Sequence, residues 1–394
     1  MAKPFDFRSE LDALLQRQRY RRRRILSSAQ GVNALVGGKS VRVFCSNDYL
    51  GLASHPKVTK AFQDAAGRFG VGSGASHLVV GHHALHHELE EALAARVGAP
   101  RALLFSSGYA ANLGVIAALV GRRDVLLQDK WNHASLLDGG QLCGAKFHRY
   151  GHLDLDGLQR RLDAVDEQQH CLVATDSVFS MDGDIAPLPR ISALCASRNA
   201  WLMVDDAHGF GVLGEGRGTP QALGCAEGVP VYMATLGKAI GVGGAFVAGN
   251  DSLIEYLIQR ARTYIYTTAL PPAMAAACLA SLRLLDEEAW RRDHLRMLIE
   301  RFQRGAQHLG LRVGASQTAI QPLMLGADAA AVEASEWLWE EGFFVSAIRP
   351  PTVPEGSARL RITLSADHSE QDVDDLLCAL AALPLESGEP HGNE

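Results

Sequence analysis

The sequence predicts an α/β protein: a mostly parallel sheet between helices, with a second, smaller α+β domain. Three observations predict it. Between residues 100 and 250, six short apolar runs (RALLF, DVLLQD, CLVATD, WLMVDD, VYMAT, AFVAG) alternate with helical stretches such as GYAANLGVIAALV and HASLLDGGQLCG. Nearly continuous apolar strands alternating with helices mark a parallel sheet covered on both faces. After Pro271-Pro272 the pattern changes to a long helical stretch, roughly 273–310, then three strand-like runs and a final helix near 369–383. Strands and helices grouped in a separate run indicate an α+β unit. The 394 residues, 47% hydrophobic and 21% charged, carry enough apolar mass for a large core.

The first 30 or so residues read as one helix, because Phe7, Leu11, Leu14 and Leu15 recur at helical spacing among charges. VRVFCSNDYLGL, 41–52, reads as a short strand entering a turn. Residues 1–50 are expected to join the smaller domain, 51–270 to form the large one and 271–385 the rest of the smaller one. In the smaller one, IQPLML, FFVSAI and ARLRITL are the strands. Residues 386–394, within the polar stretch ESGEPHGNE, are expected to be a disordered tail.

Charge and cysteine usage exclude several functions. A net charge of −6 and a pI near 6.2 argue against a general nucleic-acid surface. The basic run Arg21–Arg24 reads as a solvated helix face, short enough to serve as one anion site. Seven scattered cysteines without a CxxC pair argue against a disulfide framework or zinc site and for a reducing compartment. MAKPFDFRSELDALL lacks the apolar core of a signal peptide, and no apolar run is long enough for a membrane span, so a cytoplasmic location is expected. SHLVVGHHALHHELE offers His82, His83, His86 and His87, with i, i+4 pairs on one helix face. It contains no HExxH, and reads as an exposed helix start with no metal. GxSxG and Walker loops are absent, and no acid pair has hydrolase spacing.

In a parallel sheet, ligands bind beyond the carboxyl ends of the strands. The chemically able residues collect there: Ser106–Tyr109 after RALLF, His133 after DVLLQD, Ser180 after CLVATD, Asp205 and His208 after WLMV, and Lys238 after VYMAT. Lys238 brings a primary amine, Asp205 an acid and His208 a histidine. These are the groups needed to hold pyridoxal phosphate (PLP) and use it as an electron sink. The amine can bond to the cofactor aldehyde, and Asp205 can pair with the protonated pyridine nitrogen. Asp206 competes for that role, but strand alternation sends it to the other side. His208 can bond the ring hydroxyl, and His133 can lie on the ring face. The backbone of Gly108 and Tyr109, at a helix start, makes an anion cradle, to which the Thr235 hydroxyl adds a donor. Thr267-Thr268 offers another, across a subunit interface.

These residues lie in segments that carry a family resemblance over nearly the whole chain: SNDYLGLASHP, FGVGSGASHLVVGHHALHHELE, LLFSSGYAANLGV, NHASLLDG, DSVFSMDGDIAPL, WLMVDDAHGFGVLGEGRG, ATLGKAIGVGGA, IYTTALPP and AIRPPTVPEGSARLRITLSADH. The chain resembles the α-oxoamine synthases among the PLP-dependent transferases of fold type I. The resemblance implies a seven-stranded large domain, a smaller domain from both chain ends, and a homodimer with active sites at its interface. It implies PLP on Lys238, Asp205 at the pyridine nitrogen, His133 stacked on the ring, and Ser180 and His208 at the ring oxygen. Gly108, Tyr109, Thr235 and Thr268 would take the phosphate. Asn47 and Arg349 would meet an amino-acid carboxylate, while Thr352 and one arginine of 21–24, with Arg23 preferred, would meet the acyl group.

The stretch with Arg349 and Thr352 resembles the branch that condenses L-alanine with pimeloyl-CoA or a pimeloyl-acyl carrier protein in biotin synthesis, with Lys238 removing the α-proton. No nucleic-acid or membrane partner is implied. A glycine acetyltransferase, an aminotransferase and a catalytically silent family subunit remain alternatives. The chain departs from the family pattern at Asp176, where a glutamate is frequent, and at Gly74-Ala75-Ser76, where GGS is.

Overall fold

In a computed structural model, which describes residues 5–384, the chain begins with a helix, Phe7–Gln16. The hairpin β1 (Asn33–Val36) and β2 (Lys39–Val43) follows. The helix is much shorter than the sequence reading. None of its residues is buried, Gln18 turns the chain with a φ of 55°, and Arg21–Arg24 continue without helical structure. Like charges one turn apart disfavour a helix that no packing supports.

The chain then builds β3 (Arg101–Phe105), β4 (Val125–Asp129), β5 (Lys146–Tyr150), β6 (Cys171–Asp176), β7 (Trp201–Asp205), β8 (Val231–Thr235) and β9 (Ala245–Gly249). They form one sheet in the order β3-β9-β8-β7-β6-β4-β5. All its pairings are parallel except those of β9 with β3 and β8. All six apolar runs are strands of it. The seventh, β5, was not anticipated: KFHRY is polar, and as an edge strand it pairs only with β4. The central strands β4, β6 and β9 bury every residue, β7 all but Trp201 and β8 all but Thr235, with Leu126, Leu172, Met203, Val231 and Val247 packed against Ala111, Val115 and Ile116 of helix Gly108–Leu119. Burying each large side chain contributes about 1.5–3 kcal/mol.

The chain ends with β10 (Ile320–Gly326), β11 (Phe343–Phe344), β12 (Ser346–Ile348) and β13 (Ala358–Thr363). β11 extends the first hairpin in the order β1-β2-β11, and the others form a sheet in the order β10-β13-β12. Helices Asp328–Glu340 and Glu370–Ala381 belong to the same part.

Two units result among the described residues: 47–180 with 184–293, and 5–46 with 181–183 and 294–384. The division falls after Asp293 rather than at 270. Helix Pro272–Glu287 explains this: its small buried face (Ala273, Ala275, Ala277, Cys278) packs on helix Pro56–Phe69 of the larger unit. The expected tail at 386–394 lies outside the described residues. Among those described, no helix is long and apolar enough to cross a membrane.

Candidate active site

Five strands of the larger sheet deliver side chains to one place because each ends where its apolar run ends. Asp205 closes β7 and is 4% exposed. Its Oδ2 accepts from Asn112 Nδ2 at 2.7 Å and its Oδ1 from the Ala207 amide at 3.0 Å. Asn112 Nδ2 also donates to Ser135 Oγ at 2.8 Å, and Ser135 Oγ bonds His133 Nδ1 at 2.7 Å. The His133 amide donates to Asp176 Oδ2 at 2.6 Å. A continuous chain thus joins the carboxylate of β7 to the histidine after β4. His133 also caps helix Ala134–Leu142, which fixes its ring.

Asp176 and Asp205 are register partners on neighbouring strands. Burial raises Asp176 well above the usual carboxylate range, and the charge of Asp205 raises it further. Burial likewise lowers His133, against the opposing pull of Asp205. The Lys238 charge acts on both groups and lowers each. Asp206 follows strand alternation: it points away into a separate buried network, accepting from Thr219 Oγ1 at 2.5 Å, the Thr219 amide at 2.9 Å, Tyr232 Oη at 2.7 Å and Ser177 Oγ. Burial pushes its carboxyl up to about 6.

Lys238 Nζ stands 2.8 Å from His208 Nε2, and His208 Nδ1 is 2.6 Å from Tyr49 Oη. Tyr49 is 1% exposed and donates to Asn47 Oδ1 at 3.1 Å. A phenol has one proton. With that proton on Asn47, the Tyr49 oxygen accepts from His208 Nδ1–H, and the Nε2 lone pair faces the lysine.

The expected phosphate cradle lies at the β3–helix turn. Ser107 caps helix Gly108–Leu119 by accepting from the Ala110 amide at 3.1 Å, leaving the first N–H groups at the open end. A Cβ on Gly108 would lie 3.9 Å from Thr235 Cβ, so these two expected phosphate contacts are neighbours. Tyr109 is exposed, with its hydroxyl on Asp138. Ser180 is half-buried on the turn after β6, and Thr268 is exposed before Pro271-Pro272.

In the smaller unit, Arg349 and Thr352 line a cavity of about 310 Å³ together with Arg19, Arg21 and Arg22. Arg23, the preferred member of the basic run, is not among its lining residues. Arg19 is engaged with Asp328 at 3.1 Å and Glu355 at 2.7 Å, leaving Arg21 and Arg22 to face Arg349. Burial lowers Arg349 from its usual value.

The residues present fit PLP. Two buried carboxylates meet on adjacent strands, and the contacts to Asp205 come from a neutral amide and a backbone N–H. A buried carboxylate calls for a cation, and a protonated pyridine nitrogen is one. Asn112 Oδ1 is also buried without a partner.

Sequence reasoning missed Tyr49, Asn112 and Ser135. Asn112 had a signal, as the one amide in an otherwise apolar helix. Tyr49 had none, since His208 lies 159 residues away in the chain.

The family model for class I and II aminotransferases matches residues 39–380. An 8-amino-7-oxononanoate synthase from Saccharophagus degradans is 57% identical over 98% of each chain. A serine palmitoyltransferase from S. paucimobilis, solved with PLP and myriocin bound, superposes with a TM-score of 0.90 at 30% identity, covering 95% of both chains. A crystal structure of 8-amino-7-oxononanoate synthase from Francisella tularensis gives 0.76 at 32% identity, covering 86% of this chain and 97% of the other.

Proposed function

This chain belongs to the 8-amino-7-oxononanoate synthases within the class I and II aminotransferase family, and we propose that it joins L-alanine to a pimeloyl thioester on that premise. It is a PLP-dependent acyltransferase of biotin synthesis. In the net reaction the alanine Cα bonds to the thioester carbonyl carbon, the C–S bond breaks, and thiol and carbon dioxide leave. The thiol is that of CoA or of an acyl carrier protein.

When bound, PLP withdraws electron density from the alanine Cα. The protein residues then have the following roles. Lys238 Nζ tethers the cofactor and, once displaced, takes the alanine α-proton. His208 keeps its Nε2 lone pair on the lysine because Tyr49 holds the opposite nitrogen. That lone pair accepts a proton from the ammonium or from the ring hydroxyl. Asp205 holds the pyridine nitrogen protonated, with Asn112 fixing the carboxylate. His133 packs on the ring face, and Gly108, Tyr109 and Thr235 bind phosphate. Ser180 adds a donor to the ring oxygen.

Asn47 and Arg349 receive the alanine carboxylate. The acyl end meets Thr352 and an arginine of the 21–24 run, for which lining the cavity favours Arg21 or Arg22 over Arg23. The working form is a homodimer in which Thr268 of one protomer serves the phosphate of its partner. The exposed apolar residues Val71, Val79, Val80 and Tyr266 support such an interface.

The observation that carries this reading is the meeting of Lys238, His208 and the buried Asp205–Asn112 pair at the ends of adjacent strands. The test is incubation of the holoenzyme with L-alanine and pimeloyl-CoA. Stoichiometric thiol release and a product with the mass of 8-amino-7-oxononanoate are expected. Faster thiol release from glycine and acetyl-CoA would overturn the substrate assignment.

A further inference from the structure

The histidine-rich segment does more than begin a helix. His77–Gly81 forms a single π-helical turn, and helix Ala84–Val97 starts three residues later, capped by His83. Two groups of ligand atoms converge there, each within 4.8 Å: His77, His82 and His86, and His82, His87 and Glu90.

The first group is already occupied by its own hydrogen bonds. His86 Nδ1 accepts from the His83 amide at 3.0 Å, and its Nε2 bonds the Leu270 carbonyl at 2.7 Å. His77 and His82 bond each other through their Nδ1 atoms at 2.9 Å.

The second group has a different character. The His77 contact fixes the ring of His82 and turns His82 Nε2 toward Glu90 Oε2, 4.0 Å away. His77 itself is held by stacking on Tyr264, with centroids 5.0 Å apart. Glu90 Oε1 accepts from the Leu104 amide at 2.9 Å, which pins the carboxylate and leaves Oε2 facing His82. His87 and Glu90, three apart on the helix, share a face. The Glu90 side chain is only 12% exposed, and burial pushes its carboxyl up to about 7, with the Leu104 amide and then Arg101 offsetting part of that. All three residues line a cavity of about 390 Å³ that leaves room for water ligands.

We propose that His82, His87 and Glu90 form a binding site for a divalent transition-metal ion of the zinc type, with His77 as the residue that orients His82. Two imidazoles and one carboxylate are the donors such ions select. An oriented ligand histidine that bonds a second group through its other nitrogen is the usual arrangement around them. The ion would tie the exit of the π-helical turn to the helix and neutralise the buried carboxylate. The small closure it requires falls on His87, whose side chain is 66% exposed and would exchange its 3.4 Å contact with the exposed Glu91 for the ion.

The test is equilibrium dialysis of chelator-washed holoenzyme against Zn2+, with metal analysis. One equivalent per chain is expected. His87→Ala and Glu90→Gln should each weaken binding about ten- to a hundredfold, with the PLP absorbance unchanged. Glu90→Gln keeps an acceptor for the Leu104 amide, so the fold is not the variable. Exposed His308, on another helix, is the control, and His308→Ala should bind as the parent does. Well under one equivalent of Zn2+, or parent-like binding by both site variants, would overturn the proposal.

Discussion

Tyr49→Phe removes one oxygen atom from the chain that runs from Asn47 through Tyr49 and His208 to Lys238. The ring that fills the core stays in place. The lost contacts are the 2.6 Å bond to His208 Nδ1 and the 3.1 Å bond to Asn47 Oδ1, both made by a residue 1% exposed to solvent, and the first is the one that bears on the lysine. A hydrogen bond between neutral groups contributes about 0.5–1.5 kcal/mol net. Each 1.36 kcal/mol is about tenfold in rate. If the bond holds the His208 tautomer that leaves Nε2 for the lysine, that energy appears in the barrier to proton removal. Exchange of the alanine α-proton in D2O, without thioester, should then slow roughly two- to tenfold at saturating alanine. The pH profile of exchange should shift as well, because His208 would no longer be held in one protonation pattern. Protein NMR of the holoenzyme with labelled alanine measures both. An unchanged exchange rate with an unchanged pH profile would refute the tautomer argument and reduce Tyr49 to a packing residue.

Asp205→Asn leaves the Asn112 contact possible but removes the charge that keeps the pyridine nitrogen protonated. Turnover should fall on the order of a hundredfold, as expected when a charge-assisted bond of about 1.5–3 kcal/mol is lost, while the protein stays folded by circular dichroism. Gly209→Ala should destabilise without touching the cofactor contacts. Its Cβ would collide with Thr219 Oγ1 and Asp206 Oδ1 inside the buried Asp206 network, at about 1–3 kcal/mol, read as a lower urea midpoint. His152 lies between Asp129 (3.1 Å) and Asp184 (2.7 Å). Burial alone would lower it, but hydrogen bonds to the two carboxylates raise it to about 9. The folded value lies above the unfolded one, so the stabilisation is full below pH 6.5 and is lost as pH rises through about 9. The stability gap between the parent and His152→Gln should narrow over that window, and a constant gap would contradict the ion-pair assignment.

What could be read from the sequence follows from how local each signal is. β7 is continuous and apolar up to Asp205, and the same rule placed His133 and Lys238 at strand ends. Strand alternation separated Asp205 from Asp206, since adjacent residues of a strand face opposite ways. β5 was missed because an edge strand needs no apolar run. The first helix was overextended because periodic leucines state an amphipathic face without stating whether anything covers it. Arg23 was preferred over Arg21 and Arg22 in a stretch with no regular structure, where no periodicity sets which side chain turns inward. Tyr49 and Ser135 act through partners set by the tertiary fold or by a cap. The histidine segment is the opposite case: its spacing was visible, but convergence of His82 with His87 and Glu90 depends on the π-helical turn that precedes the helix.

The proposed chemistry starts from the amine at position 238. Borohydride reduction of the holoenzyme, followed by peptide mapping, should leave a single pyridoxyl label on Lys238. A label on another lysine, or none, would contradict it.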